Sequence, residues 1–517
     1  MHLLFTNRLA AAIAGSALLL TACGGGSMGP VTGASPPRGT LLDSPPHLAM
    51  AIPTAALLAQ LTALAQPQVL RLGGAPLCDI AVYHFRYETV GGANEATTAS
   101  AALMVPAGSG PTCSGPRPIV LYAHGTTTDR NFNIANLQDS SNVEGLILAA
   151  FFAAQGYIVV APNYAGYDTS TLGYHPYLVA DQQSKDMIDA LTAARTALQV
   201  TALLGTADNG KLYITGYSQG GFVAMATQRA MEAAGMPVTA AAPMSGPYAL
   251  AAFVDAVFFG EVNASATVSS TLLVGAYQQT YGHIYASTLD VFEAQYATGI
   301  EMLLPSTTPR AQLYAEGKLP QNALFSAIPP DPTLADVTPA TLPAQLATTF
   351  AAGFGANNLV TNGYRLTYID DAQVHPDGGW PVATTGVAAA APAVPMRQAL
   401  KTNDLRDWSP AHPVLLCGGD GDPTVFWLNT QLVQASWTAR AVPAATFGVL
   451  DLDASSTAGD PYASLKSDFV IAKDLIAADA IAHGATDLGA SAVAAAYHAT
   501  LVPPFCFAAV RSFLASH

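Results

Sequence analysis

Leu212-Tyr213-Ile214-Thr215-Gly216-Tyr217-Ser218-Gln219-Gly220-Gly221 is the stretch of the chain that decides the fold. Its first four residues read as a short buried strand, and residues 219–234 read as a helix. Between them, Gly216 to Gly220 match the G-x-S-x-G pattern, in which a serine on a tight strand-to-helix turn projects its hydroxyl into a cleft. Gly216 and Gly220 allow the close backbone approach that such a turn needs. We therefore predict that Ser218 is a nucleophile.

The same pattern occurs a second time, in Gly25-Gly26-Ser27-Met28-Gly29. That copy lies in a segment rich in Gly, Ser and Pro, where neither a strand nor a helix is indicated. Context therefore favours Ser218 over Ser27.

Strand and helix patterns alternate on both sides of Ser218. Residues 78–90 and 96–105 are β-rich runs separated by a Gly-Gly-Ala-Asn turn, which predicts a hairpin. Short apolar runs at 118–123 and 157–161 alternate with helical patterns at 142–155 and 181–198. This alternation predicts an α/β fold, with a mainly parallel sheet covered by helices on both faces.

The alternation stops after residues 241–244 and resumes with apolar runs at 413–417 and 445–452. The intervening stretch contains helical segments joined by Pro-rich connections. We therefore predict a core made of residues 47–245 and 398–517, with residues 246–397 inserted as a cap or lid. Apolar residues of this insertion are candidates to cover a substrate: Phe253, Val257, Phe258, Phe259, Leu303 and Leu304.

A serine hydroxyl needs a base to take its proton, and a histidine oriented by a carboxylate is the usual base. One established arrangement places the acid and then the histidine after the serine. Six histidines follow Ser218. His498 falls in a predicted loop between the last strand and the closing helix, which suits a base. The others lie in the cap, before a strand, at a helix end or at the terminus: His283, His375, His412, His483 and His517.

The acid is expected after the strand at 413–417, where Asp420 and Asp422 compete. Asp422 stands three residues after Gly419 and three before Val425, which resembles the G-x-x-D-x-x-V spacing on the acid-bearing turn of the α/β-hydrolases. We favour Asp422 and interpret Asp420 as a turn residue that bonds its own backbone. Asp451 and Asp453, at the end of the next strand, remain alternatives.

Negative charge on the tetrahedral intermediate must be stabilised by backbone N–H groups, an oxyanion hole. We predict one donor at Gln219, directly after the serine. The second is expected in the His124-Gly125-Thr126-Thr127 loop, at Thr126. His124 itself is interpreted as a residue that braces this loop by a hydrogen bond.

The first residues predict export. Arg8 precedes an apolar run at 9–20 that is short for a membrane span, and Leu20-Thr21-Ala22-Cys23 follows. This resembles a bacterial lipobox, with residues 1–22 as signal peptide, Cys23 as the lipidated residue and residues 23–46 as a flexible tether. An ordinary signal peptide cut near Ala22 is the alternative.

Four cysteines remain once Cys23 is set aside. An even number in an exported chain suggests disulfides, and four cysteines allow three pairings. We favour Cys78–Cys113 and Cys417–Cys506, because each pair lies near one end of the chain. The alternative is that some are buried free thiols.

Composition excludes one class of partner. The 517 residues are 51% hydrophobic, enough for a large core, and the net charge is −15. Such an acidic chain without a basic stripe is not expected to bind nucleic acid.

Together these motifs resemble the secretory lipase-related branch of the α/β-hydrolases. The resemblance rests on His124-Gly125, Ala161-Pro162-Asn163-Tyr164, the turn from Gly216 to Gly221, Asp422-Pro423-Thr424-Val425 and Tyr497-His498. It implies an eight-stranded mixed sheet, no cofactor or metal, and a helical cap over an acyl pocket. The chain departs from the tannase pattern, since Tyr217 rather than cysteine precedes the serine.

The function that this resemblance implies is that of an esterase or lipase acting on a small-molecule ester or lipid. Membrane contact is then expected only through the N-terminal lipid anchor. A prolyl- or aminopeptidase-like peptidase shares the triad and is one alternative. A surface-anchored binding protein with a hydrolase fold is the other.

Overall fold

The sheet forms the centre of the molecule. The computed structural model describes residues 36–63, 67–200, 205–377 and 387–517; Cys23, Ser27 and the predicted signal peptide lie outside them. In the described ranges the strands are β1 (His47–Ile52), β2 (Asp79–Val90), β3 (Ala96–Ala107), β4 (Gly115–Ala123), β5 (Ile158–Pro162), β6 (Thr206–Tyr217), β7 (Ala240–Met244), β8 (Val414–Gly418) and β9 (Phe447–Asp451). They form one nine-stranded sheet in the order β1-β2-β3-β5-β4-β6-β7-β8-β9.

The strand directions explain why the carboxyl ends of several strands meet. Strands β5, β4, β6, β7, β8 and β9 are parallel to one another, whereas β1, β2 and β3 pair antiparallel at one end of the sheet. Loops that leave parallel strands all emerge at the same edge, which is where open α/β sheets bind ligands. The α/β fold predicted from the alternation of strands and helices is confirmed.

The eight-stranded sheet implied by the resemblance is wrong by one strand. The additional strand is β1, which pairs with β2 from His47 opposite His84 to Ile52 opposite Ile80. Most of its residues are exposed. A short, mostly exposed strand at the edge of a sheet is held by backbone pairing with its neighbour, which leaves no buried run in the sequence to mark it.

Helices cover both faces of the sheet. The α-helices are α1 (Thr54–Ala63), α2 (Pro67–Gly73), α3 (Val143–Phe151), α4 (Ala180–Val200), α5 (Gln219–Ala233), α6 (Leu250–Phe258), α7 (Ala266–Tyr281), α8 (Thr288–Val291), α9 (Ala294–Ala297), α10 (Arg310–Ala315), α11 (Ala347–Ala352), α12 (Asn362–Val374), α13 (Pro395–Asn403), α14 (Leu428–Ala439), α15 (Ala463–Ala482), α16 (Ala490–Ala496) and α17 (Val502–Ala515). A π-helical turn, Tyr497–Leu501, joins α16 to α17. The segment Ala490–Ala515 is long and apolar enough to cross a membrane, but 56% of its most apolar window is buried in the fold, as in a core helix.

Helices α6 to α13 all lie between β7 and β8. Helices α6 to α12 fall within the stretch predicted as an insertion, residues 246–397, whereas α13 begins there and continues into the predicted core. Their apolar side chains do not form a core of their own. Phe253 and Val257 of α6 belong to the same hydrophobic cluster as Leu121 of β4, Val160 of β5 and Ile214 of β6. The apolar core of the insertion is therefore continuous with the core on one face of the sheet.

The prediction that residues 23–46 form a flexible tether is wrong for the last part of that segment. Residues 39–43 pair with β2: the N–H of Leu42 donates to the Arg86 carbonyl at 2.9 Å, and Asp43 forms an ion pair with Arg86 at 2.7 Å. The composition is that of a flexible segment, but backbone groups at a free sheet edge can be paired by almost any sequence.

Candidate active site

Ser218 stands on the turn between β6 and α5. Its backbone has φ +60° and ψ −122°, a strained conformation for a residue with a side chain. The N–H of Ser218 donates to the Met244 carbonyl at 3.0 Å, and its own carbonyl accepts from the Gly221 N–H at 2.9 Å. The turn is thus held by the neighbouring strand on one side and by the helix on the other.

The glycines of the turn are required by close backbone approach. A Cβ on Gly220 would lie 1.9 Å from the Ala123 carbonyl oxygen, and a Cβ on Gly216 would lie 2.3 Å from the Gly220 carbonyl oxygen. Both distances are far below van der Waals contact. Any side chain at either position would displace the turn that carries Ser218.

The structure brings Ser218, His498 and Asp422 together. His498 Nε2 lies 2.8 Å from Ser218 Oγ, and His498 Nδ1 lies 2.7 Å from Asp422 Oδ2. Because an ionised carboxylate can only accept, Nδ1–H donates to Asp422 and Nε2 is free to accept the serine proton. This is the geometry of a nucleophile, a base and an acid that orients the base.

His498 lies on the π-helical turn Tyr497–Leu501, not in the predicted loop. Its carbonyl oxygen accepts a hydrogen bond from the Tyr217 hydroxyl at 2.6 Å. The residue next to the nucleophile therefore also holds the backbone of the base. π-Helical turns are frequent at functional sites, and no short sequence pattern marks them.

The acid-bearing turn follows β8. Asp422 is 1% exposed, and its Oδ1 accepts the N–H groups of Thr424 at 2.9 Å and Val425 at 3.0 Å. Its second oxygen, Oδ2, is the one that faces His498. Each carboxylate oxygen thus has its own partners, which fixes the plane of the group against the imidazole.

The alternative carboxylates occupy other positions. Asp420 is exposed, and its N–H donates to Asp451 at 3.1 Å. Asp453 accepts from the Gly421 N–H at 3.0 Å and also bonds the Tyr497 hydroxyl and Lys473. Asp451 and Asp453 therefore hold the turn that presents Asp422.

The loop after β4 lies against the nucleophile turn. A Cβ on Gly125 would lie 3.8 Å from Ser218 Cβ. Thr126, the predicted second oxyanion donor, lines the cavity into which Ser218 and His498 open, and its hydroxyl forms a hydrogen bond with that of Tyr177 at 2.9 Å. His124 Nδ1 lies 2.7 Å from the Gly125 carbonyl oxygen, which matches the bracing role predicted for it. Burial lowers the pKa of His124 to about 4, so the ring is neutral near pH 7.

Gln219, the other predicted oxyanion donor, is held by its side chain. Its Nε2 lies 2.7 Å from Nε2 of the buried His175, whose Nδ1 lies 2.9 Å from the Ala165 carbonyl oxygen. Burial lowers the pKa of His175 to about 3, so this ring is also neutral. Gln219 is the first residue of α5, where a backbone N–H has no partner within the helix.

A cavity of about 620 Å³ opens at Ser218 and His498. Helices α6 and α7 supply much of its apolar wall: Leu250, Phe253, Val254, Val257, Phe258, Val268 and Leu273. Of the apolar residues predicted to cover a substrate, Phe253, Val257 and Phe258 line it. Phe259 and Leu304 are buried elsewhere in the core, and Leu303 packs against it.

The other histidines that follow Ser218 have partners away from the nucleophile. His412 contacts Glu232 at 2.9 Å, and His483 contacts the Asp479 carbonyl at 2.8 Å. His283 and His375 lie in the insertion, and His517 is the last residue. Among the described residues, no group of three His, Cys, Asp or Glu side chains is arranged to hold a metal ion.

Both disulfides favoured from the sequence are present. They join Cys78 to Cys113 and Cys417 to Cys506. Cys417 lies in β8, just before the turn that carries Asp422, and Cys506 lies in α17, just after the π-helical turn that carries His498. The second disulfide therefore ties together the two segments that hold the acid and the base.

We expect the double substitution Cys417→Ser/Cys506→Ser to lower both stability and activity. Losing a natural disulfide costs about 2–5 kcal/mol in the free energy of unfolding, and misplacing a reacting group by about 1 Å can cost on the order of 100-fold in rate. The matched control is Cys78→Ser/Cys113→Ser, which should lower stability without lowering kcat of the folded protein. Thermal unfolding and ester turnover measured well below both melting temperatures test this. Equal kcat in the two variants would contradict it.

Sequence reasoning missed Glu144 and Tyr122, which both approach the oxyanion loop. Tyr122 OH donates to Glu144 Oε1 at 2.5 Å, and the Gly125 N–H donates to the same oxygen at 3.0 Å. In the sequence, Glu144 looks like an ordinary acidic residue in the first turn of a helix, and Tyr122 looks like a strand residue. Only the packing of α3 against β4 distinguishes them.

Comparison with known proteins agrees with this architecture. The family model described as the prolyl oligopeptidase family matches residues 147–245. The solved structure of the rice cell wall degrading esterase LipA from Xanthomonas oryzae is 28% identical, covers 85% of this chain and 98% of its own, and has a TM-score of 0.63. A candidate hydrolase from Legionella pneumophila is 20% identical, covers 80% and 91%, and has a TM-score of 0.58. No curated protein matches the chain.

Proposed function

We propose that this chain, a serine hydrolase with the α/β-hydrolase fold, cleaves carboxylic esters with Ser218 as nucleophile. The observation that carries the proposal is the hydrogen-bonded series Ser218 Oγ–His498–Asp422, with both contacts below 2.9 Å, opening into an apolar cavity. The similarity to an esterase over 85% of the chain supports ester cleavage in particular.

In the proposed reaction, Ser218 Oγ attacks the ester carbonyl carbon while its proton passes to His498 Nε2. The N–H groups of Gln219 and Thr126 would stabilise the resulting oxyanion, each donor contributing about 3 kcal/mol. His498 then gives the proton to the departing alcohol, which leaves an acyl group on Ser218. Water activated by the same histidine releases the acid. The chain's own residues supply each of these roles, so the proposal includes no cofactor or metal.

The cavity supports a small-molecule ester or lipid as the substrate. Its apolar wall comes from α6 and α7, which suits an acyl chain. Polar side chains also line it, among them Asn263, Ser269 and Arg310. Specificity would depend on which part of the ester, the acyl or the alcohol group, contacts the apolar wall and which contacts the polar side chains.

A peptidase is the second candidate, and the prolyl oligopeptidase match favours it. That match spans Ser218 but stops before Asp422 and His498, so it covers the nucleophile turn that esterases and peptidases share. A peptidase that binds a free peptide terminus would also need a charged group there, and Arg310, which lines the cavity, has the charge that would hold a terminal carboxylate. The ester proposal is preferred because the esterase similarity covers most of the chain.

One experiment separates the candidates. The full chain is assayed with p-nitrophenyl esters from acetate to laurate beside a panel of proline and alanine p-nitroanilides, and labelled with a fluorophosphonate probe. We expect ester turnover, weak or no amide turnover, and labelling that Ser218→Ala abolishes. Amide turnover exceeding ester turnover would favour the peptidase. A wild-type chain that neither labels nor turns over any substrate would favour a binding protein.

Two disulfides are typical of a protein that works outside the reducing cytosol. We propose further that Cys23 is lipidated, which makes the chain a cell-envelope lipoprotein whose only membrane contact is that anchor. Metabolic labelling with a palmitate analogue tests this: Cys23→Ala should abolish incorporation, and incorporation that persists would contradict it.

A further inference from the structure

Glu144 lies beside the active site without being part of the proposed triad. It belongs to the first turn of α3, is half-buried and lines the same cavity as Ser218. Its Oε1 accepts hydrogen bonds from the Gly125 N–H at 3.0 Å and the Tyr122 hydroxyl, and its Oε2 lies 3.3 Å from the same N–H. Both carboxylate oxygens are therefore directed at the loop that follows β4.

These contacts bond both backbone groups of Gly125 and leave the N–H of Thr126 for a substrate oxygen. The Gly125 N–H is occupied by Glu144, so it is not available to a substrate oxygen. The Gly125 carbonyl is engaged by His124 Nδ1 at 2.7 Å. A trans peptide directs its N–H opposite to its C=O, so holding this carbonyl also sets the direction of the Thr126 N–H. Glu144 and His124 thus clamp Gly125 on both sides and leave Thr126 as the free donor.

Keeping a carboxylate at this position is unfavourable for the fold. Burial raises the pKa of Glu144 to about 7, although the hydrogen bonds from Tyr122 and Gly125 oppose the rise. Burial raises the pKa values of Tyr122, Tyr164 and Tyr217 around it, and the Glu144 charge adds to that rise. Neutral side chains of similar size would avoid this desolvation cost. A role in placing the loop would account for a hydrogen-bond acceptor that is kept here despite this cost.

We propose that Glu144 is a positioning residue for the oxyanion hole, holding the Gly125–Thr126 segment against the Ser218 turn through the Gly125 N–H. The inference rests on the proposed use of Ser218 as an acyl-transfer nucleophile. It does not depend on whether the substrate is an ester or a peptide. Glu144 does not touch the substrate; it acts through the backbone of the loop.

Three variants separate hydrogen bonding from charge and size. Glu144→Gln keeps an oxygen that can accept from Gly125 and Tyr122, so it should stay within about 5-fold of wild type. Glu144→Leu removes the acceptor, and we expect the fluorophosphonate labelling rate and kcat to fall about 30- to 100-fold, with KM changed less than about threefold. Glu144→Asp keeps the charge, but its side chain is one methylene group shorter and the carboxylate no longer reaches the Gly125 N–H. Its labelling rate and kcat should therefore fall as far as those of Glu144→Leu.

The matched control is Glu301→Leu. Glu301 accepts a hydrogen bond from the Tyr285 hydroxyl at 2.5 Å, as Glu144 does from Tyr122, but Glu301 does not line the cavity. It should label at the wild-type rate. Should Glu144→Leu fail to fold, Glu144→Asp decides the question. Labelling of Glu144→Leu or Glu144→Asp within threefold of wild type overturns the inference, as does a loss in Glu144→Gln equal to that in Glu144→Leu. Absence of ester turnover in a wild-type chain that still labels would overturn only the ester proposal.

Discussion

His498→Ala should lower kcat for p-nitrophenyl butyrate by about a million-fold while leaving the fold intact. The ring provides the only nitrogen in hydrogen-bond contact with Ser218 Oγ among the described residues, at 2.8 Å. Without it, the hydroxyl keeps its proton at neutral pH and is a weak nucleophile. The residual rate would come from the oxyanion donors and the cavity, which the substitution leaves in place. Turnover over hours, with circular dichroism to check folding, provides the measurement.

The double variant Ser218→Ala/His498→Ala tests whether the two residues act as one unit, because its loss of kcat can be compared with the loss in each single variant. Ser218→Ala should cost about as much as His498→Ala, and the double variant should cost no more than either, because members of a triad are strongly non-additive. His483→Ala is the matched control, since His483 is exposed and its side chain bonds Asp479, away from the active site. It should retain wild-type turnover. Activity of His498→Ala near wild type would reject the assignment of the base.

The nucleophile turn could be recognised in the sequence because the steric constraints that define it are local. Gly216, Ser218 and Gly220 lie within five residues, and the steric reason for each glycine is a backbone atom of the same turn or of the adjacent strand. Similarly, the strands around Ser218 are continuous apolar runs because helices cover both of their faces. Patterns of this kind depend on neighbours that are close in the chain or shared by the whole sheet.

Features that depend on distant packing were not predictable in the same way. The edge strand β1 pairs through backbone groups, which carry little sequence information. The π-helical turn at His498 depends on contacts such as the one from Tyr217, 281 residues away. Glu144 becomes distinctive only because α3 packs beside the end of β4. In each case the residue types are ordinary, and tertiary structure decides what they do.

Asp422 and Asp420 stand two residues apart on one turn, and the structure predicts very different consequences for the same substitution. Asp422→Asn should lower kcat about 10⁴-fold, because an amide that donates towards Nδ1 would stabilise the wrong tautomer of His498. The amide oxygen can still accept from the Thr424 and Val425 N–H groups, so the turn should remain folded.

Asp420→Asn should leave kcat within about twofold of wild type, since surface substitutions of this kind rarely perturb a structure. The Asp420 side chain is exposed, and the residue contributes to the turn through its backbone N–H, which donates to Asp451 at 3.1 Å and is kept in the variant. Both variants carry the same change in charge, so net electrostatics cannot account for a difference between them. If Asp420→Asn proved the more damaging, the acid would have to reach His498 by a rearranged turn, and the contact of 2.7 Å between His498 and Asp422 would not be the working one.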